Sequence, residues 1–304
     1  MSENKGKFTR ESAQAYLAKE VEMQVDKLAE GIWTVSDGVY RSIFLEAENS
    51  VIAFDTFGTP GKARSYRNAI EQTVADKPIS TIIYSHDHVD HAGFAADLAP
   101  DAEIIADEMC AKVVKIRESE GQSQPTTILT GEKNVLSLDG IEVTLLNPGP
   151  THGSGNVAAW FENAGILFSS DTILANAKYG FVPDYHVENF VRFMRGFLEL
   201  EWDVFVPGRY DITDRAGFSR GCDYFEAVQI ETQNAFANYV PVWAFEPIKG
   251  FVMNNLAEKY GGLEGFEEHV GLTAIRIVHH YLMGGWGLED THEPQVLLAD
   301  EVEL

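Results

Sequence analysis

The chain has 304 residues, of which 45% are hydrophobic and 23% are charged, as in ordinary globular proteins. A formal net charge of −24 without a Lys/Arg cluster argues against binding to nucleic acid or to anionic membranes. No apolar run approaches the ~20 residues of a membrane helix, and the N-terminus lacks a signal-peptide pattern, so a cytoplasmic location is expected. Two cysteines, Cys110 and Cys222, are too few for a disulfide scaffold.

The first half of the sequence predicts a helix, then strands and helices in alternation. Residues 9–30 carry an amphipathic helical pattern that begins at Thr9 and ends at Gly31. Residues 31–56 predict three short strands separated by turn residues. The further predicted elements are a helix at about 60–76, a buried strand at 79–85, a strand at 102–106 and a helix at about 107–120.

The second half repeats this order and then becomes helical. Its predicted strands lie near 127–130, 134–138, 141–147, 156–161, 165–171 and 202–208, and a helix is predicted at about 187–200. From Phe218 to Trp286 the pattern is mostly helical, with interruptions at Pro241, Pro247 and Gly261–Gly262.

The alternation of strands and helices predicts an α/β protein in which helices lie outside two packed sheets. Because the composition does not shift along the chain, we predict a single catalytic domain over residues 1–304. Its core is expected at about 30–217 and a helical extension at about 218–286. The N-terminal helix and the extension are candidates for covering a site or forming a homodimer.

A short turn after the strand at 79–85 concentrates side chains that bind metals. Residues 86–91 read HDHVDH. His86 and His88 are two positions apart and could converge on one cation, while Asp90 and His91 would face an adjacent position. Imidazole and carboxylate ligands together suit zinc, or iron or manganese.

A metal site seldom takes all its ligands from one turn, so donors distant in the sequence are expected. His152 lies in a Gly/Pro-rich loop between two predicted strands, and Asp171 ends the apolar strand GILFSSD. Both are predicted at the carboxyl ends of strands, where α/β proteins gather functional groups.

These motifs resemble those of the metallo-β-lactamase superfamily. HDHVDH corresponds to the family's HxHxDH motif, THGSGNVAAWF (151–161) to its second motif and FSSDT (168–172) to its third. Asp55 corresponds to an upstream aspartate of the family. The resemblance covers about 30–210 and implies a four-layer αβ/βα sandwich, here with an N-terminal helix and a helical C-terminal extension.

The resemblance also implies a ligand set for two metals. His86, His88 and His152 would hold the first metal, and Asp90 and His91 the second. Asp171 would bridge the two metals. Asp55 would orient a ligand by hydrogen bonds rather than bind metal itself. Zinc is the expected metal, one or two ions per chain, with iron as the alternative.

The chain departs from the family at the last motif, where a histidine normally follows PG. Here VPG is followed by Arg209, and a guanidinium cannot coordinate a metal because it stays protonated. Three alternatives follow: a second metal completed by water or by His186, His279 or His280; one metal held by the first set with Asp171; or one metal at the second position. His279 and His280 are adjacent on a helix and cannot both face one site.

The resemblance favours a metallohydrolase in which hydroxide attacks a small, largely apolar substrate with an ester, lactone or similar bond. Asp90, Arg209 and His186 are the candidate catalytic residues beside the metal. Sulfate esters, β-lactams and carbon–halogen bonds are alternative targets within the same class. A single-iron dioxygenase similar to persulfide dioxygenases is a different alternative, and a non-enzymatic protein with a degraded site is a third. A few aromatic residues of the extension are expected to wall the pocket.

Overall fold

Two β-sheets lie face to face in the structure, a computed structural model that describes residues 9–149, 151–153 and 155–283. The first sheet has seven strands in chain order, antiparallel from β1 to β4 and parallel from β4 to β7. Its strands are β1 (Gln24–Ala29), β2 (Ile32–Ser36), β3 (Arg41–Glu46), β4 (Val51–Phe54), β5 (Ile79–Ile83), β6 (Glu103–Asp107) and β7 (Thr127–Leu129).

The second sheet has six strands in the order β13-β12-β11-β10-β9-β8, and its neighbours are antiparallel except for the parallel pair β11 and β12. Its strands are β8 (Lys133–Leu138), β9 (Ile141–Leu146), β10 (Ala158–Phe161), β11 (Ile166–Ser169), β12 (Val204–Pro207) and β13 (Thr213–Asp214). The two-residue β13 is a strand that the sequence did not predict.

Helices cover the outer face of each sheet. The helices of the first half are α1 (Arg10–Leu17), α2 (Pro60–Thr73), α3 (Val89–Ala92), α4 (Ala95–Leu98) and α5 (Glu108–Arg117), of which α1 has no buried residue. In the second half they are α6 (Phe190–Gly196), α7 (Arg215–Ala237), α8 (Phe245–Tyr260) and α9 (Phe266–Met283). None of these described helices is both long enough and apolar enough to cross a lipid bilayer.

The period-two alternation of strand residues separates three apolar clusters. On β3, Ile43 and Leu45 face the second sheet, whereas Phe44 between them packs with the helices on the outside. Phe54 of the first sheet meets Phe168 of the second edge-on, with ring centroids 5.4 Å apart. A third cluster lies between the second sheet and the C-terminal helices. The expected α/β sandwich with a C-terminal helical extension is therefore confirmed.

The prediction of one helix over residues 9–30 is wrong beyond Leu17. Helix α1 begins after the capping residue Thr9, but residues 24–29 form the edge strand β1, in which Val25 pairs with Val35. Pairing with β2 supplies cross-strand contacts and ladder hydrogen bonds, and these outweigh a weak local preference for helix.

Up to Met283, where the described residues end, the extension forms three helices, and one predicted interruption is wrong. Pro241 lies in the turn between α7 and α8, and Gly261–Gly262 in the turn between α8 and α9. Pro247, however, is the third residue of α8, where the backbone N–H that proline lacks has no intrahelical partner in any case. The last residues of the predicted extension, 284–286, lie outside the described residues.

Four strand ends bring polar side chains to one edge of the sandwich. β4 and β5 are parallel, as are β11 and β12, so within each pair the carboxyl ends lie on the same side. Asp55 follows β4, the turn at 86–91 follows β5, Asp171 follows β11 and Arg209 follows β12. This edge carries the candidate site.

Candidate metal centre

Three imidazole rings meet at this edge. The ring centroids of His86, His88 and His152 are 4.5 to 4.9 Å apart. His88 Nδ1 lies 3.0 Å from His152 Nε2, and the buried His86 Nε2 has no hydrogen-bond partner among the described residues. Two nitrogens bound tetrahedrally to one zinc at about 2.0–2.1 Å would be about 3.3 Å apart, so this donor set fits one metal ion.

The protonation of these rings also suits a metal. Burial and the neighbouring imidazoles lower the pKa of His86 well below its usual value. Burial likewise lowers the pKa of His152 to about 4, so both rings are neutral at pH 7 and can donate a lone pair. Burial lowers the pKa of His88 as well, but the Asp184 carboxylate more than offsets this and raises it.

Asp55 holds His86 in place through Ser85, on the side of the ring that faces away from the cluster. Its two carboxylate oxygens accept hydrogen bonds from the Ser85 backbone N–H at 2.8 Å and from the Ser85 hydroxyl at 2.7 Å. The same hydroxyl lies 2.8 Å from His86 Nδ1, which leaves His86 Nε2 directed at the cluster. Asp55 is buried and adopts a left-handed backbone conformation (φ 52°). Its placement suits the supporting role expected of it.

A second cluster lies beside the first and contains Asp90, His91 and Asp171. His91 Nε2 is 3.2 Å from Asp171 Oδ1 and 3.9 Å from Asp90 Oδ2. Ligand atoms of His86, His91 and Asp171 all lie within 4.8 Å of one another. Asp171 too adopts a left-handed conformation (φ 48°), and such residues concentrate at functional sites.

The side chain of Arg209 occupies the middle of this second cluster. Its Nε is 2.9 Å from both carboxylate oxygens of Asp171. Its Nη2 donates to Asp90 Oδ2 at 2.6 Å and lies 3.3 Å from His91 Nε2. One guanidinium thus contacts all three residues expected to hold a second metal.

Tyr40, which sequence reasoning missed, braces the arginine. The Arg209 guanidinium carbon lies 4.4 Å above the Tyr40 ring, and the Tyr40 hydroxyl donates to Asp90 at 3.1 Å. Tyr40 and Arg209 also form an isolated antiparallel bridge between the β2–β3 turn and the end of β12. Nothing in the sequence marked Tyr40, because Asp90 and Arg209, its partners at the site, are at least fifty residues away.

The charges around Arg209 are largely compensated without a metal. Burial lowers the pKa of His91, but the Asp171 and Asp55 carboxylates outweigh this and raise it to about 10. Burial raises the pKa of Asp171, yet His91 and Arg209 hold it well below its ordinary value. Two cations, Arg209 and protonated His91, therefore face three carboxylates, those of Asp55, Asp90 and Asp171.

Asp184 is the second residue that sequence reasoning missed. Its carboxylate contacts His88 Nε2 and lies 3.4 Å from His152 Nδ1, on the sides of both rings that face away from the cluster. The only hint in the sequence was its position in PDYHVEN, two residues before His186.

The other candidate histidines lie away from the two clusters. His186 is buried and does not line the cavity, its backbone N–H donates to the Thr151 carbonyl, and burial lowers its pKa to about 4. The ring of His279 packs against Phe181, with centroids 6.0 Å apart. His280 is fully buried, with its Nε2 3.5 Å from a Glu188 carboxylate oxygen. The structure does not bring any of these three rings into either set of ligand atoms.

A cavity of about 390 Å³ opens onto both clusters. Its aromatic walls are Tyr179, Phe181, Tyr185 and Tyr210. Two larger cavities, of about 680 and 580 Å³, are lined by no residue of either cluster within the described chain. The smaller cavity is therefore the one that chemistry at the clusters could use.

The cavity walls differ from those expected. The aromatic residues come from the loop after β11 and from the end of β12, whereas the helical extension contributes His269. Two aromatic residues of the extension, Tyr239 and Trp243, are instead 94% and 76% exposed in the turn between α7 and α8. The extension instead packs behind the loop that walls the cavity.

Two relatives match most of the chain. They are the alpha and beta subunits of 2,4-dinitroanisole O-demethylase from Nocardioides sp. (strain JS1661). The alpha subunit is 38% identical over 277 residues, which are 90% of this chain and 84% of the relative. The beta subunit is 34% identical over 275 residues, 90% of this chain and 86% of the relative. Both matches are too long to leave out the helical extension.

Solved structures share the sandwich at much lower identity. A metallo-beta-lactamase from Pontibacter korlensis superposes with a TM-score of 0.60 at 16% identity, over 67% of this chain and 99% of its own. A metallo-beta-lactamase from Hirschia baltica superposes with a TM-score of 0.59 at 17% identity, over 67% of this chain and 98% of its own. The sequence profile described as "Metallo-beta-lactamase superfamily" matches residues 36–190. With its two sheets and its cluster of histidines and aspartates, this chain belongs to the metallo-beta-lactamase superfamily.

Proposed function

We propose that this protein is a hydrolase that works with a single metal ion, held by His86, His88 and His152. The position of Arg209 carries the proposal, because its guanidinium contacts Asp171, Asp90 and His91, the residues that the resemblance assigns to a second metal. A divalent cation at the three histidines would supply the nucleophile by lowering the pKa of a coordinated water. Arg209 supplies a fixed positive charge next to it.

The contacts of Arg209 argue against a second dication in the same place. Both oxygens of Asp171 already accept from Arg209 Nε, and Asp90 accepts from Nη2. Burial lowers the pKa of Arg209, but Asp171 and Asp90 more than offset this and raise it, so the side chain stays charged. A dication among these groups would have to displace a charged, hydrogen-bonded guanidinium.

We propose an aryl methyl ether with an electron-poor ring as the substrate. Two observations support this class: the aromatic walls of the 390 Å³ cavity, and the relatives named as 2,4-dinitroanisole O-demethylase subunits. Water and the ether would give a phenol and methanol. If the attack falls on the ring carbon, the aryl–oxygen bond breaks and the ring carries negative charge during the step. Esters and lactones of similar size are the wider substrate class.

The side chains around the cavity have separable roles in this reaction. Tyr185 donates its hydroxyl to the Asp171 carbonyl at 2.8 Å, which fixes its ring against His152 and keeps water from that side. The Arg209 guanidinium can stabilise negative charge on the substrate. Asp90 is ionised, because His91 and Arg209 lower its pKa despite burial, so it can accept a proton from the attacking water.

A single-iron dioxygenase is the second candidate. Two histidines and one carboxylate, His86, His91 and Asp171, lie close enough to form the triad that non-haem iron enzymes use. The engagement of Asp171 by Arg209 weighs against this use of the cluster. Oxidative demethylation to formaldehyde would require O₂ and a two-electron donor that reduces the second oxygen atom to water, whereas hydrolysis releases methanol and needs neither.

The products and the oxygen requirement test the proposal. Purified protein would be incubated with 2,4-dinitroanisole and with phenyl esters, in ¹⁸O-labelled water, in air and without O₂, each time with and without ascorbate as an electron donor. The proposal predicts equal rates in both atmospheres, methanol as a product, and activity that a chelator abolishes and zinc restores. Formaldehyde, or a need for O₂, would instead establish the iron alternative. Turnover of the esters but not of the ether would narrow the substrate class to esters.

The relatives' names also support an assembly of more than one chain. We propose that the protein forms a dimer through its terminal helices. Tyr239 and Trp243, in the turn between α7 and α8 of the extension, offer further exposed aromatic surface. The mass in solution, measured by light scattering, would be about twice the 33.7 kDa of one chain. A mass of one chain that does not rise with concentration would contradict the dimer.

A further inference from the structure

One carboxylate touches two of the three metal-site histidines from outside. Asp184 Oδ2 contacts His88 Nε2, and Asp184 Oδ1 lies 3.4 Å from His152 Nδ1. The second distance is long for a hydrogen bond. Asp184 Oδ1 and His152 Nδ1 are nevertheless both buried, and neither has a hydrogen-bond partner among the described residues. The two atoms lie within ion-pair distance of each other.

The backbone holds Asp184 in register with the histidine loop. Tyr185 and His152 form an isolated antiparallel bridge, in which the His186 N–H donates to the Thr151 carbonyl at 2.9 Å. The Asp184 carbonyl accepts from the Gly153 N–H at 3.1 Å. Asp184 is therefore attached to His152 by its backbone as well as by its side chain.

Helix α9 of the extension supports the same segment from the other side. Arg276 Nε donates to the Pro183 carbonyl at 2.9 Å, and the Thr273 hydroxyl donates to the Gly180 carbonyl at 2.9 Å. Arg276 is only 6% exposed, so its cation lies in the interior, close to the Asp184 carboxylate. The segment is thereby held between the histidine loop and α9.

Contacts of this kind determine how a histidine binds metal. A carboxylate that accepts from the outer ring nitrogen fixes the tautomer, prevents ring rotation and makes the inner nitrogen a better donor. Here the inner nitrogens are His88 Nδ1 and His152 Nε2, which face each other at 3.0 Å. Asp184 lies on the opposite side of both rings, so its position suits support of the ligands and not coordination.

We infer that Asp184 is a positioning residue that orients His88 and His152 together, and that α9 holds it in place. The inference rests on the proposed metal site. The inference links the helical extension to the metal site. The demethylase subunits match 90% of this chain and so include the extension, whereas the solved lactamases match 67%. No motif of the sequence indicated this link.

Zinc affinity of the metal-free protein, measured by competition with a chromophoric chelator, tests the inference apart from activity. Asp184→Asn keeps the shape but loses the charge, and we expect zinc to bind roughly 10- to 100-fold more weakly. Asp184→Glu restores the carboxylate and should recover part of the affinity. Glu188→Gln, four residues along the same segment and outside the ligand contacts, is the matched control and should bind zinc like the wild type.

A parallel urea unfolding curve of each metal-free variant separates positioning from general support. Positioning predicts that Asp184→Asn loses zinc affinity while its metal-free stability stays close to that of the wild type. Unchanged affinity would overturn the inference. So would a variant that does not fold, or an affinity loss that Asp184→Glu does not restore and that equals the loss of metal-free stability. A wild-type protein that binds no zinc would instead refute the metal site itself.

Discussion

Arg209 Nε lies 2.9 Å from both carboxylate oxygens of Asp171, the residue that the family resemblance assigned as the bridge between two metals. A carboxylate that bridges two metals must offer them lone pairs from one or both of these oxygens. The guanidinium takes both as a planar donor that also reaches Asp90. These contacts support the proposal of a centre with one metal and one built-in cation, Arg209.

Loss of the Arg209 charge should slow the reaction without removing the metal. For Arg209→Met we expect turnover to fall by about 10²- to 10³-fold, the usual effect of removing one stabilising donor. Arg209→Lys keeps the charge but not the planar arrangement of donors, so its turnover should lie between those of the wild type and Arg209→Met. Steady-state rates together with metal content by mass spectrometry provide the measurement. A Met variant with wild-type turnover would show that the cation has no part in the reaction.

Removal of one imidazole should release the metal. His152→Ala deletes a ring whose Nε2 lies 3.0 Å from His88 Nδ1, so zinc affinity should fall by more than the roughly 10- to 100-fold caused by loss of an outer partner. His279→Ala, whose ring packs on Phe181, is the control and should retain zinc and activity. Loss of zinc in His279→Ala would contradict this assignment and indicate that His279 contributes to metal binding.

The metal-free protein should lose stability as the pH rises above neutrality. The folded-state pKa of His91 is raised to about 10 from 6.5, because Asp171 and Asp55 outweigh the effect of burial. A raised pKa means that the stabilisation is fully present below pH 6.5 and is lost as the pH rises towards 10. Urea unfolding should therefore show a larger gap between wild type and His91→Gln at pH 6 than at pH 10. A gap of equal size at both pH values would argue that His91 is neutral in the folded protein.

Gly58 lies so close to the turn at 86–91 that its position should not accept a side chain. Gly58 has φ +66°, and a Cβ there would lie 2.2 Å from the Asp90 Cα. We expect Gly58→Ala to lower the free energy of unfolding by about 3 kcal/mol, because backbone on both sides must move. Gly250→Ala, in helix α8 with no heavy atom within 4 Å of the new Cβ, should change it by no more than about 1 kcal/mol. Equal changes in the free energy of unfolding for the two variants would mean that the backbone of the turn shifts at little cost to accept the new Cβ.

The sequence was informative where ligand-type residues follow apolar strands. Because β5 and β11 end at the same edge of the sandwich, the turn at 86–91 and Asp171 could be expected to meet. The role of these residues as ligands stays a prediction. The same reasoning failed at residues 24–29, where the local pattern suits a helix and only the partner strand β2 makes it a strand.

Contacts that depend on loop conformation could not be predicted. Asp184 reaches His88 across almost a hundred residues, and its loop is placed by Arg276 on a helix further along the chain. The sequence showed that Arg209 replaces a histidine, but it left three alternatives open. The choice among them depends on where the guanidinium points, and that direction is set by Tyr40 and Asp171.

Metal content per chain tests the central claim most directly. Protein purified without added metal, and again after incubation with zinc and removal of the excess, would be analysed by mass spectrometry beside Arg209→His. The account predicts about one metal ion per wild-type chain under both conditions and about two per chain in the variant, because the new imidazole frees Asp171 and Asp90. Two metals in the wild type, or an unchanged single metal in Arg209→His, would contradict it.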